Sequence, residues 1–354
     1  MNELDVFRYG RQTPTEARNL SMRNTIPLLA ISLLVPACGS DININVRTNQ
    51  DEWFQARNNL VDILWVVDDS CSMEEEQDTL AEGFSTFVGE MEASGTEFHI
   101  GVISTSFDSS DSDRGELLGE PTYLTNEDDY IGLFEERALL GVEGSDKEKG
   151  FQAADWALST SMSIGHNEGF LREEAQLLIV FVSDEEDCSD EGALDHLAAE
   201  HCYKKITQLV PVFEYVESFR TLKEDDADVQ ISAIVGRANN PCDDAFPGAR
   251  YSQAAKMTGG TVGDICKSNW SDLMDDLGLV ASGVRNTFQL SRGAHPDSLK
   301  VTVDGEKIKH GWTYDPDTWY ITFGPNAIPP RDSAIVAEYE IQPGSSTPPA
   351  ESTL

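Results

Sequence analysis

The sequence predicts an α/β protein: a doubly wound, mainly parallel sheet over residues 59–287, with a small all-β module over residues 288–343. Two observations predict it. Between residues 59 and 287, short continuous apolar runs alternate with stretches of helical period, the pattern of strands buried on both faces and linked by crossover helices. Beyond Phe288 the period drops to two, with Leu299, Val301 and Val303 alternating with polar residues up to an Asp304-Gly305 turn.

The chain opens on a targeting segment. The apolar run from Ile26 to Ala37 follows Arg23 and is too short to span a bilayer as a helix, so residues 1–38 read as a signal peptide, with Met22 a neat alternative start. The run ends Leu34-Val35-Pro36-Ala37-Cys38, which resembles a bacterial lipobox despite the unusual Pro36. That resemblance implies cleavage before Cys38, lipid attachment there, and a lipid-anchored place in the cell envelope, at the outer membrane or cell surface. Residues 39–58 are polar and aperiodic, a plausible tether.

The first strand of the sheet is Val61-Asp62-Ile63-Leu64-Trp65-Val66-Val67, and it runs directly into Asp68-Asp69-Ser70-Cys71-Ser72. Leu80, Phe84, Phe87, Val88 and Met91 then mark an amphipathic helix. A second strand, Phe98 to Thr105, leads to an acidic loop. Tyr130 to Leu140 has helical character, and a further helix through Ala154 and Leu158 follows Gly144-Ser145. Leu177 to Val182 is a third strand, ending in Ser183-Asp184. Residues 193–222 read as helical and Asp228 to Val235 as a fourth strand. A helix from Arg250 to Met257, a strand from Thr261 to Ile265 and a helix from Trp270 to Val284 close the domain. In the module, Ile335, Ala337, Tyr339 and Ile341 alternate again; residues 344–354 are a Pro/Ser/Thr-rich tail.

Ligand sites in open α/β sheets lie at the carboxyl ends of the strands. The carboxylate of Asp68 and the hydroxyls of Ser70 and Ser72 are hard oxygen donors, suited to Mg²⁺, Mn²⁺ or Ca²⁺. This Asp-x-Ser-x-Ser loop resembles the metal-ion-dependent adhesion site of von Willebrand factor type A domains. In that family a Thr or Ser from a second loop and an Asp after a later strand complete the site. The resemblance points to Ser145 as the second-loop hydroxyl, with Thr122 and Thr125 as weaker rivals, and to Asp184 as the last ligand. Glu185 stands where the family commonly has Gly, so the third loop departs from the pattern. Serine-rich helix caps are the bland alternative for Ser70 and Ser145. The resemblance implies a non-enzymatic binding protein whose cation accepts an Asp or Glu carboxylate from a protein partner. A structural protein with a stabilising metal and a metal-dependent hydrolase are the competing readings.

Composition sets further bounds. A formal net charge of -38 argues against nucleic-acid binding, which needs a basic footprint. The patch Ser183-Asp184-Glu185-Glu186-Asp187 reads mainly as solvated surface. Gly-x-Ser-x-Gly, phosphate-loop and His-Glu-x-x-His signatures are all missing from the sequence. The six cysteines are Cys38, Cys71, Cys188, Cys202, Cys242 and Cys266, with no Cys-x-x-Cys among them. Export favours disulfides. Cys242 pairs with Cys266 in this reading, and a Cys71–Cys188 bridge would brace two metal-bearing loops, with Cys188–Cys202 as its rival.

Overall fold

A computed structural model describes residues 47–344, apart from 56–58, 109–110, 112, 238–241 and 243–244. The signal peptide, the lipobox with Cys38, residues 39–46 of the tether and the tail beyond Gly344 lie outside the described residues. Among the described residues no helix is long and apolar enough to cross a membrane.

The elements in chain order are β1 (Thr48–Phe54), β2 (Leu60–Val67), α1 (Glu74–Ala93), β3 (Glu97–Ser104), α2 (Tyr130–Ala138), α3 (Gly150–Ala157) and α4 (Thr160–Ser163). Then come β4 (Gln176–Ser183), α5 (His201–Lys204), α6 (Val212–Arg220), β5 (Val229–Val235), α7 (Ala249–Met257), β6 (Val262–Asp264) and α8 (Ser271–Val280). Six strands finish the chain: β7 (Thr287–Gln289), β8 (Lys300–Val303), β9 (Glu306–Ile308), β10 (Trp312–Tyr314), β11 (Tyr320–Phe323) and β12 (Ala334–Glu340).

The central sheet has the order β3-β2-β4-β5-β6 and is parallel throughout. An isolated antiparallel bridge from Ile100 to Leu124 extends its β3 edge. Because β2 is followed by a strand on one side and later by β4 on the other, the order reverses between β2 and β4. In open α/β sheets, such a reversal at the strands' carboxyl ends is where ligands bind.

Alternation along β2 explains the two layers of helices. Ile63, Trp65 and Val67 face a core built with Leu80, Phe84 and Phe87 of α1, Phe134 of α2 and Met274 and Leu277 of α8. Leu64 and Val66 face the opposite core, with Phe151 of α3, Val216 and Phe219 of α6 and Tyr251 of α7. Asp62 breaks the apolar run yet is fully buried. Its carboxylate is held by Arg172 Nε at 2.7 Å, with Lys223 Nζ at 3.5 Å.

The β module is a pair of sheets, β1-β12-β8-β9 and β10-β11-β7, around Phe288, Val301, Trp319, Ile321, Phe323, Ile335 and Tyr339. Here the structure differs from the tether expected over residues 39–58. Residues 48–54 are strand β1, antiparallel to β12 with Thr48 opposite Glu340 and Phe54 opposite Ala334. The module is therefore assembled from both sides of the α/β domain. Gln55 seals the joint, donating to the carbonyls of Arg285 (2.8 Å) and Pro329 (3.0 Å) and accepting from Arg285 N–H (2.8 Å). Residues 193–222, expected to be helical, contain only α5, a short 3-10 turn at Ile206–Gln208 and α6. Pro211, which cannot continue a helix, stands immediately before α6.

Candidate functional site

Three loops meet at the β2/β4 reversal. The first leaves β2 at Asp68, whose N–H donates to Val182 O of β4 at 2.9 Å. Asp68 is fully buried. One carboxylate oxygen accepts from Ser70 N–H (2.8 Å) and the other from Ser183 Oγ (2.6 Å). Asp68 O in turn accepts from Gln77 Nε2 of α1 at 2.9 Å, which pins the turn to its own helix. Glu74, Glu75 and Glu76 occupy the first turn of α1, where the helix dipole favours negative charge. Ser70 and Ser72 place their hydroxyls 3.5 Å apart; Ser70 is buried and Ser72 exposed.

The third loop brings Asp184, buried, next to Asp68. Burial and, second to it, the Asp184 charge push the Asp68 carboxyl up to about 7. Glu185 is likewise held at about 7, by burial and then by Asp184 and Asp146. The acidic patch expected to be solvated is largely internal. Glu186 accepts from Ala249 N–H (3.0 Å) and Arg250 N–H (2.9 Å), capping α7. Asp187 accepts from Phe151 N–H (3.1 Å) in α3 and pairs with Arg250 (2.9 Å).

The second loop departs from expectation. The Ser145 hydroxyl is engaged with Asp108 Oδ2 (3.3 Å) and Lys147 N–H (3.1 Å) rather than with the donors around Asp68. What the loop lays beside Asp68 and Asp69 is the buried carboxyl of Glu148, which accepts from Thr105 Oγ1. Burial, then the Asp68 charge, hold Glu148 well above the usual carboxylate range. Its Oε1 has no hydrogen-bond partner among the described residues. Gly144 sets the loop's path: its N–H donates to Asp69 O at 2.8 Å, and an added Cβ would fall 2.2 Å from Asp69 Oδ1. Ser106 Oγ joins both loops, donating to Asp69 Oδ1 and accepting from Ser145 N–H, each at 2.8 Å. Sequence reasoning missed Thr105, Ser183 and Glu148; the Glu148-Lys149-Gly150 step into α3 was the available signal.

The disulfides are Cys188–Cys202 and Cys242–Cys266, and Cys71 is a free, exposed thiol. The expected Cys71–Cys188 brace is corrected. Although β2 and β4 are neighbours, Cys71 faces outward beside Ser72, while Cys188 turns under the surface to pack with Leu194, Cys202 and Leu209.

By donor chemistry, the carboxylates of Asp68 and Asp184 and the hydroxyls of Ser70 and Ser72 are the groups here that could hold a hard divalent cation. No group of three His, Cys, Asp or Glu side chains forms a ready cage among the described residues. A cleft of about 480 Å³ opens at the other end of the sheet, beside the β module. It is lined by Trp53, Arg220, Arg285 and Tyr320 and shares no residue with these loops.

No family model matches the chain, and no curated protein matches it. Among solved structures it is similar to a von Willebrand factor type A protein from Catenulispora acidiphila, at 11% identity and a TM-score of 0.38, covering 85% of this chain and 66% of that one. The pilus adhesin SpaC from Lactobacillus rhamnosus GG in its open conformation is similar at 11% identity and a TM-score of 0.40, covering 83% and 41%. The pilus adhesin RrgA from Streptococcus pneumoniae follows at 10% identity and a TM-score of 0.31, covering 84% and 59%. The chain thus spans less than two thirds of each of these structures. All three likenesses fall below a TM-score of 0.5.

Proposed function

We propose that this chain is a non-enzymatic protein-binding module, lipid-anchored through Cys38 in a bacterial envelope, that captures its partner through a divalent cation at the β2/β4 reversal. One observation carries the reading: Asp68 and Asp184 are buried side by side at the ends of β2 and β4, at a cost that a positive charge would relieve. Asp68, Ser70, Ser72 and Asp184 are the residues that would hold Mg²⁺, or Mn²⁺ or Ca²⁺. Once bound, the ion would supply an electrophilic position for an Asp or Glu carboxylate of the partner. Ser183 and the Ser70 N–H orient Asp68. Gln77 holds the loop against α1.

Calorimetric titration of Mg²⁺, Mn²⁺ and Ca²⁺ tests this. Saturable binding by the wild type that is lost in Asp184→Asn is expected; a folded wild type that takes up none of the three at millimolar concentration defeats the reading. Mass analysis of the membrane-extracted protein tests acylation at Cys38.

A second reading is favoured by Glu148. Its buried carboxyl stands where the resemblance implies a neutral hydroxyl, and once a bound cation displaces its proton the added negative charge reduces that cation's attraction for an outside carboxylate. A metal that only stabilises the loops would follow, and partner capture would then survive chelation.

A further inference from the structure

Beside the third loop two aromatic rings stand exposed and in contact with each other. Tyr203 is 40% exposed and Phe246 is 56% exposed, and their ring centroids are 5.4 Å apart. Both are tied to the site, Phe246 by its backbone and Tyr203 by its phenolic oxygen. Phe246 N–H donates to Asp184 O at 2.7 Å, and Glu186 N–H donates to Tyr203 Oη at 3.1 Å. Each also follows a disulfide closely: Tyr203 comes directly after Cys202 of the Cys188–Cys202 bridge, and Phe246 stands four residues beyond Cys242 of the other.

From these contacts we infer that Tyr203 and Phe246 are a specificity platform for the partner segment, which carries a large apolar side chain within a residue or two of its carboxylate. The inference rests on the metal-mediated reading above for where that carboxylate goes. Three physical points support it. Exposed aromatic pairs cost free energy in water, and aromatic anchors dominate protein interfaces when a partner desolvates them. The Cys188–Cys202 bridge next to Tyr203, the Glu186 N–H bond to the Tyr203 hydroxyl and the Phe246 N–H bond to Asp184 O hold the two rings before binding, so little ordering entropy remains to be lost. Finally, a chain of net charge -38 repels an acidic partner at long range. Charge complementarity therefore selects a segment that is neutral or basic around a single carboxylate, and apolar contact supplies affinity that the carboxylate alone lacks.

A displayed library of short random peptides with one fixed Asp, selected on the full chain in Mg²⁺ and in parallel in EDTA, tests the inference. The expected result is enrichment, in Mg²⁺, of Phe, Tyr, Trp, Leu or Ile within two positions of the Asp. Resynthesised peptides should then bind Phe246→Ser about thirtyfold more weakly, the loss of one anchor residue. This variant leaves the Phe246 N–H bond to Asp184 O and the Glu186 N–H bond to the Tyr203 hydroxyl in place, and its Mg²⁺ titration and melting temperature report whether the site is intact. Tyr203→Ser is the companion variant. Peptides with no apolar preference, equal binding to Phe246→Ser, or no enrichment under either condition would overturn the platform. Apolar enrichment that is as strong in EDTA would support the platform and defeat the metal reading instead.

Discussion

Ser183 Oγ donates to Asp68 Oδ2 at 2.6 Å, across the seam where β2 and β4 run side by side. The bond joins the first and third loops directly and gives a buried carboxylate one of its two partners. In Ser183→Ala that oxygen keeps its burial and loses its donor. The expected cost is about 1–3 kcal/mol, the penalty for an unsatisfied buried polar group. Urea denaturation in EDTA measures it; a variant as stable as the wild type would show that water replaces the hydroxyl without loss.

The crowded carboxyls predict a pH dependence. Asp68, Glu185 and Glu186 are each raised to about 7 in the fold, chiefly by burial. In the unfolded chain they ionise near pH ~4. The folded state therefore binds more protons through this window, so their contribution is fully present below the unfolded values and is lost as pH rises through about 7. Asp195 and Asp225, whose carboxyls are lowered, titrate below the window and do not offset it. In chelator the melting temperature should fall between pH 5 and 8; millimolar Mg²⁺ should flatten the fall, and Asp184→Asn should reduce it. A profile that is the same with and without Mg²⁺ would detach these groups from any cation.

Asp62 offers a test away from the loops. It sits near the start of β2 and holds Arg172, bonded also to Val61 O at 2.9 Å, and the buried Lys223. Asp62→Ala leaves two cations beside a dry sheet, and a loss of about 3–5 kcal/mol is expected. A double-mutant cycle with Arg172→Ala should recover part of it. Additive losses would mean that the pair does not act as a unit.

Much of the α/β domain was legible because its strands are buried on both faces. A run such as Leu177 to Val182 has few other structural uses, and Asp68 and Asp184 stand at the ends of such runs. The second loop was harder to read. Ser145 and Glu148 are three residues apart, both polar, and only the path set by Gly144 decides which side chain turns toward Asp68. The acidic stretch from Asp184 to Asp187 misled for a related reason: its charges are internal because Glu186 and Asp187 satisfy the exposed N–H groups at two helix starts.

Cysteine accessibility separates the two bridge patterns. Cys71 is exposed, whereas Cys188 and Cys202 are buried and joined. A maleimide added to the native, unreduced protein should label Cys71 and none of Cys188, Cys202, Cys242 and Cys266. Non-reducing peptide mapping should recover Cys188 linked to Cys202. Removing that bridge as Cys188→Ala/Cys202→Ala should cost roughly 3 kcal/mol by the loop-entropy estimate. Recovery of a Cys71–Cys188 peptide would restore the brace between the first and third loops.

Strand β1 hid in a polar segment because its inward residues are only half-buried and two of them are polar. Asn49, Asp51 and Trp53 alternate with exposed neighbours, and polar bonds hold the register. Tyr339 Oη donates to Asp51 Oδ2 at 2.6 Å and accepts from Asn49 Nδ2 at 2.9 Å, while Ser291 Oγ donates to Asp51 Oδ1 at 2.6 Å. Trp53 closes the row against Phe288, with ring centroids 5.7 Å apart. A chain begun at Leu60 would therefore lose more than a tether. It would strip β12 of its edge partner, uncover Phe288 and remove Gln55, whose amide bonds both Arg285 and the Pro329 carbonyl. Compared with a chain begun at Gly39, it should show early hydrogen exchange across β12 and a separate, lower-temperature transition for the β module. The parallel sheet, whose strands β2 to β6 make no pairing with β1, should keep its protection. Equal exchange across β12 in the two chains would return residues 48–54 to the role of a tether.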